Sequence, residues 1–269
     1  MTALFTALRF IGWTAALLPV QIILVQFNMP FAKRLPIIYH RGVCRLLAFR
    51  VEQHGNISPT RPTLFVCNHT SYLDISVLGA VLPASFVAKA EVRSWPLFGL
   101  LARLQRTVFV ERKVSRTAEH RDEMIRRLEI GDNLILFPEG TSNDGNRVLP
   151  FKSGFFGAAE IEINGEPLTV QPVSVSYTHL DGIPVGHVYR PYFAWYGDME
   201  MAGHLWNVFS LGQTTVAVEF HDPITIIDFA SRKEMAAHCQ RVVSDGVSRG
   251  IHGRLAKVAK HAWWASKTA

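Results

Sequence analysis

Two short stretches carry side chains able to move a proton. The first, Asn68-His69-Thr70-Ser71-Tyr72-Leu73-Asp74, sets an imidazole five residues before a carboxylate, directly after the apolar run Thr63–Cys67. Thr70 and Ser71 suit a helix N-cap, which places His69 at a strand-to-helix junction and Asp74 in the first turns of the helix. A carboxylate that fixes the tautomer of a histidine and stabilises its imidazolium is the minimum for general-base catalysis. The chain has 11 histidines, so this spacing alone also fits a structural histidine at a capped helix start. The second stretch, Phe137-Pro138-Glu139-Gly140-Thr141-Ser142, follows another apolar run. Pro138 ends a strand and Gly140 permits close backbone approach. Glu139 then projects at the same sheet edge as His69, unless this is a plain turn with an exposed glutamate.

Two further stretches sit beside these. Thr107-Val108-Phe109-Val110-Glu111-Arg112-Lys113 is a strand ending in charge. Arg112 and Lys113 could hold an anion, or simply solvate the strand end. In Val170-Gln171-Pro172-Val173 a proline interrupts an apolar strand pattern, which suits an edge strand, a bulge or a close approach to a ligand. No set of His, Cys and carboxylate residues has metal-ligand spacing, and no G-x-S-x-G elbow marks a nucleophilic serine.

The elements that must position these groups alternate. β-rich runs occur at Thr63–Cys67, Ser85–Ala88, Thr107–Val110, Asn133–Phe137, Thr169–Tyr177 and Thr215–Phe220. Helical stretches lie at Ser71–Val81, Trp95–Leu104, Arg116–Ile130 and Ser231–Ser248. This predicts an α/β layered domain, a core sheet with flanking helices. Open sheets of that kind place their sites at the carboxyl ends of strands, where His69 and Glu139 fall.

The chain ends predict membrane contact. Residues 10–27 carry no charge; at about 1.5 Å per residue they make roughly 27 Å of helix, close to the thickness of a bilayer core. Pro19 and Gln21 interrupt that run, so a kinked, re-entrant or half-buried helix fits as well as a spanning one. Lys33, Arg34, Arg41, Arg45 and Arg50 follow it and only Arg9 precedes it, which keeps the rest of the chain cytoplasmic. Residues Leu35–Phe49 fit a second, amphipathic helix on anionic headgroups. The stretch Arg249–Ala269 adds five basic residues and Trp263-Trp264 without an acidic one. We expect membrane-associating helices over 1–50, an enzyme domain over 51–250 and a basic tail over 251–269.

Composition bounds the rest. With 48% hydrophobic and 19% charged residues in 269, the chain is not disordered, and with only one uncharged stretch long enough to span a bilayer it is not polytopic. Cys44, Cys67 and Cys239 form no disulfide framework. The net charge of +6 calls for an anionic partner. The basic residues lack the aromatic interleaving or recognition helix of a nucleic-acid binder.

Taken in order, the stretches Asn68–Asp74, Phe109–Arg112, Phe137–Thr141 and the strand around Pro172 resemble the four sequential blocks of the lysolipid acyltransferases of the 1-acylglycerol-3-phosphate type. The resemblance covers roughly residues 40 to 225. It implies an α/β core behind membrane helices, with His69 as general base and Asp74 as its orienting partner. It implies Arg112, Glu139, Gly140 and Thr141 in the acceptor site, and Pro172 in its wall. The implied reaction is direct acyl transfer from a thioester, of acyl carrier protein or coenzyme A, to a lipid hydroxyl, with no metal or other cofactor. The clustered Arg93, Arg103, Arg106, Arg112, Lys113 and Arg116 would suit docking of the acidic carrier protein.

One departure bears on the acceptor. Phosphatidic-acid-forming members usually follow Glu-Gly-Thr with arginine, and here Ser142 follows Thr141. That loses a charge-assisted contact of about 1.5–3 kcal/mol, with Arg106, Arg112, Lys113, Arg147 and Lys152 as possible substitutes. The stretches Val87–Pro96 and Glu139–Arg147 resemble instead the bacterial lyso-ornithine lipid acyltransferases, whose acceptor is a hydroxyl on a 3-hydroxyacyl ornithine. We therefore expect a bacterial inner-membrane enzyme acylating lyso-ornithine lipid, with lysophosphatidic acid as the other acceptor. A hydrolase using the same His–Asp pair and a non-catalytic lipid-binding protein are the competing classes.

Overall fold

The computed structural model describes the backbone of residues 2–110 and 117–255, and the side chains of all these but 117–121. Arg112, Lys113 and Arg116, like Trp263 and Trp264, lie outside the described residues.

In chain order the elements are α1 (Ala3–Gln26), α2 (Leu35–Leu46), β1 (Phe49–His54), β2 (Thr63–Cys67), α3 (Leu73–Val81), β3 (Ser85–Lys89), α4 (Phe98–Leu104), β4 (Val108–Val110), α5 (Thr117–Glu129), β5 (Leu134–Leu136), the small pair β6 (Glu162–Ile163) and β7 (Glu166–Pro167), β8 (Thr169–Leu180), β9 (Ile183–Pro184), α6 (Met201–Val208), β10 (Thr214–Phe220) and α7 (Arg232–Ile251). The main sheet runs β1-β10-β8-β2-β5-β3-β4, with β9 appended to β8. From β8 to β4 the strands are parallel, and β10 lies antiparallel on β8.

The continuous apolar runs are explained by burial on both faces. Along β2, Phe65 and Cys67 enter one core, with Val43 and Cys44 of α2 and Val77 and Leu78 of α3. Leu64 and Val66 enter the other, with Leu128 of α5 and Met235 and Val243 of α7. The period-two alternation of a strand divides the sheet's side chains between these two layers. Val43, Cys44 and Leu47 make the first fifty residues part of the main core.

Helix α1 turns Thr6, Thr14 and Gln21 inward. Gln21 donates to the carbonyls of Ala32 and Leu104 at 3.0 and 2.8 Å, and Thr14 pairs with the Tyr39 hydroxyl. Leu4, Phe5, Leu8, Ile11, Ile22, Ile23 and Phe27 face outward and are exposed. This inverts the usual arrangement of a surface helix, and it explains Gln21 in an otherwise apolar run.

Pro172 corrects the edge-strand alternative. It lies in β8, a central strand, in register with Val66. Between the Val173–Phe220 pair and the isolated Val170–Ile224 bridge, β8 carries two residues and the opposing chain three. Pro172 thus sits beside a bulge, where the regular ladder that its missing N–H would have joined is already broken.

Candidate active site

The site is built by two adjacent parallel strands. Val66 of β2 is in register with Leu136 of β5. Three residues beyond each stand His69 and Glu139, so equal spacing in two separate stretches brings them together at the carboxyl edge of the sheet. The main-chain N–H of His69 donates to Glu139 Oε1 at 2.7 Å.

The His69 ring is fixed by two contacts. Its Nδ1 lies 2.9 Å from Asp74 Oδ2, and its face stacks on Phe137 at 4.1 Å between centroids. Asp74 is fully buried, in the first turn of α3, where the helix N-terminus favours a negative charge. Its Oδ2 also accepts the N–H groups of Thr70 and Ser71 at 2.7 and 2.9 Å, and its Oδ1 accepts the Tyr177 hydroxyl at 3.0 Å. An acceptor-only carboxylate so placed makes Nδ1 the protonated nitrogen of the neutral ring. Nε2 then carries the lone pair, and with 21% of the side chain exposed it faces outward.

The expected capping is met in part. Ser71 Oγ accepts the N–H of Leu73, the first residue of α3, at 3.3 Å, while Tyr72 at the N-cap position has no side-chain cap. The Asp74 side chain also reaches back and gathers the main-chain N–H groups of Thr70 and Ser71, so one carboxylate fixes both the turn and the imidazole.

Glu139 is 1% exposed. Besides the His69 N–H it accepts Asn143 Nδ2 at 2.8 Å and the Leu149 N–H at 2.9 Å. Burial pushes its carboxyl up to about 7, against these donors and the nearby His69, which favour the charged form. In this conformation Glu139 acts by positioning the His69 backbone and the loop that follows β5. Gly140 has φ +68°, and a Cβ there would lie 3.0 Å from Lys152 Nζ and 3.3 Å from the Phe155 ring. The positive φ favours glycine, and a Cβ would have to displace the Lys152 terminus and the Phe155 ring by a few tenths of an ångström. Thr141 is exposed. Ser142 donates its hydroxyl to the Trp195 carbonyl.

Other expected residues lie elsewhere. Arg106 precedes β4 at the opposite edge of the sheet and is held with Lys33 and Arg127 on Asp132, so it substitutes for no arginine at position 142. Pro172 is buried within β8, upstream of the site. Phe137 was legible only as a strand end, and Tyr177 and Asn143 carried no local signal of their roles. Asn68 pairs its amide with both the N–H and the carbonyl of Val175, at 2.8 and 2.9 Å, extending β2 along β8. Cys67 is buried and its thiol is pushed far up by desolvation and by the Asp74 and Glu139 charges, which keeps it neutral. Among the described residues no group of three or more His, Cys, Asp and Glu side chains is placed to hold a metal ion.

This arrangement can take a proton at Nε2 from a hydroxyl and stabilise the resulting imidazolium through Asp74.

The chain is similar to known proteins over most of its length. Residues 48–176 match the model of the Acyltransferase family. A lyso-ornithine lipid O-acyltransferase of Rhizobium meliloti is 42% identical over 248 residues, covering 91% of this chain and 85% of that protein. A protein of the same description from Brucella abortus is 40% identical, covering 91% and 93%. In fold the chain is similar to the 1-acyl-sn-glycerophosphate acyltransferase of Thermotoga maritima, with a TM-score of 0.66, 24% identity and coverage of 94% and 98%.

Proposed function

The chain belongs to the lysolipid acyltransferases, and on that premise we propose that it transfers a fatty acyl group from an acyl thioester to the hydroxyl of lyso-ornithine lipid, forming ornithine lipid. The observation that carries the chemistry is the outward-facing Nε2 of a His69 ring held by Asp74 at 2.9 Å. Nε2 takes the proton of the acceptor hydroxyl as that oxygen attacks the thioester carbonyl. The tetrahedral intermediate collapses with loss of the thiolate, which takes the proton back from the imidazolium, and an ester remains. Ser71, the serine nearest in sequence, is fully buried, in keeping with transfer without an acyl-serine intermediate.

The acceptor reading is supported by the two relatives and by Ser142, whose hydroxyl is committed to Trp195. A 1-acylglycerol-3-phosphate acceptor is the second reading, favoured by the description of the Thermotoga maritima protein. The donor is acyl carrier protein, drawn to exposed arginines such as Arg93 and Arg103, or coenzyme A. Helix α1, with its apolar face outward, docks on the inner membrane of a bacterium, and the basic residues after it keep the site on the cytoplasmic side. Membranes containing the protein, given labelled acyl carrier protein and both acceptors together, test the reading: label enters ornithine lipid. Label entering phosphatidic acid alone would transfer the assignment to the second acceptor.

A further inference from the structure

Arg190 lies in a short turn, Arg190–Tyr192, of a segment fastened across the active-site loops. Ser142 donates to the Trp195 carbonyl, and the Trp195 N–H donates to the Thr70 carbonyl at 3.1 Å. Arg190 Nη1 donates to Asn146 Oδ1 at 2.7 Å. A Cβ on Gly145 would lie 3.0 Å from Thr70 Cγ2 and 3.9 Å from Arg190 Cβ. The root of the arginine side chain therefore sits beside the residue that follows His69.

The guanidinium is under-used. Among the described residues its one hydrogen bond goes to a neutral amide, and its Nε is buried with no partner. Other partly buried arginines are neutralised: Arg106 and Arg127 by Asp132, and Arg249 by Glu219. The charge of Asp144 acts on Arg190, but among the described residues the two make no ion pair within 4 Å. The two Asp144 oxygens instead accept the N–H and the Nδ2 of Asn146, which turns Asn146 Oδ1 toward Arg190. Buried N–H groups are ordinarily satisfied, so a cation held in place by an amide, with a buried donor to spare, has room for an anion. Val188, Tyr189 and Tyr192 flank it and are exposed at 75%, 63% and 56%. An anion with an apolar tail suits such surroundings.

We propose that Arg190 receives the anionic group of the acceptor's head, a carboxylate or a phosphate, and so sets the lysolipid with its hydroxyl toward His69 Nε2. This rests on the lysolipid reading above. The test is steady-state kinetics in mixed micelles with lyso-ornithine lipid, with its carboxylate methyl ester, and with lysophosphatidic acid. Arg190→Gln raises KM for lyso-ornithine lipid about tenfold or more, the factor expected for a charge-assisted hydrogen bond, while kcat changes less. Arg190→Lys restores part of the loss, and on the methyl ester wild type and Arg190→Gln have the same KM. An unchanged KM, or equal losses on acid and ester, would overturn the inference while leaving the acyltransferase reading in place. If the wild type uses only lysophosphatidic acid, the acceptor reading falls; Arg190 then stands or falls by the same KM shift on that lipid. If the wild type acylates neither, both fall.

Discussion

Glu139 Oε1 accepts the main-chain N–H of His69 at 2.7 Å, so the buried carboxylate of one strand end fixes the backbone of the imidazole at the next. Asp74 holds the ring, and Glu139 holds the turn from which the ring projects. The two carboxylates divide the task of placing Nε2, and each has a separable consequence.

Asp74→Asn should leave the ring without its charged partner. The Thr70 and Ser71 N–H groups hold the amide oxygen at the position of Oδ2, toward Nδ1, so the ring keeps its tautomer but the imidazolium loses the carboxylate that stabilises it. We expect kcat to fall by about 10²–10⁴ with the protein still folded. Single-turnover acyl transfer measures it.

Tyr177→Phe removes one donor from the buried Asp74 Oδ1. The unsatisfied acceptor should cost about 1–3 kcal/mol of stability, while His69 keeps its partner and activity falls by less than about tenfold. A thermal melt and an activity assay on the same preparation separate the two effects.

Glu139 predicts a pH dependence. Its folded pKa of about 7 lies above the ordinary 4.5, so the folded state binds the extra proton between those values. The contribution is fully present below 4.5 and is lost as pH rises through 7. Wild-type stability should therefore decline across that window by up to about 3 kcal/mol more than Glu139→Gln, with melts at pH 5 and 8 as the comparison. A parallel decline in both proteins would show that the carboxyl titrates elsewhere.

Ser142→Arg breaks the bond to Trp195 and introduces a guanidinium beside the loop. Its rate on lysophosphatidic acid relative to lyso-ornithine lipid should rise, as measured with the two acceptors in competition. An unchanged ratio would remove position 142 from the choice of acceptor.

The sequence and the structure agree best where signals are local. Thr63–Cys67 is recovered to the residue as β2, because five buried apolar positions between turns have few other solutions. Strand β1 was not foreseen: Arg50, Glu52 and Gln53 dilute its pattern, which is that of an edge strand. At the site, His69, Asp74 and Glu139 could be placed at one sheet edge because each follows or opens an element. The partners that fix them could not. Tyr177 reaches Asp74 across 103 positions of sequence and Asn68 reaches Val175 across 107, and only the β2–β8 register makes them neighbours. Arg106 shows the converse: its charge suggested an anion site, and folding placed it at the far edge with Asp132.

The most direct test of the central claim is His69→Ala in membranes, assayed with labelled acyl carrier protein and lyso-ornithine lipid. The account predicts that transfer falls by about 10² or more while the variant stays folded and membrane-bound. Transfer at the wild-type rate would contradict the assignment of His69 as the base.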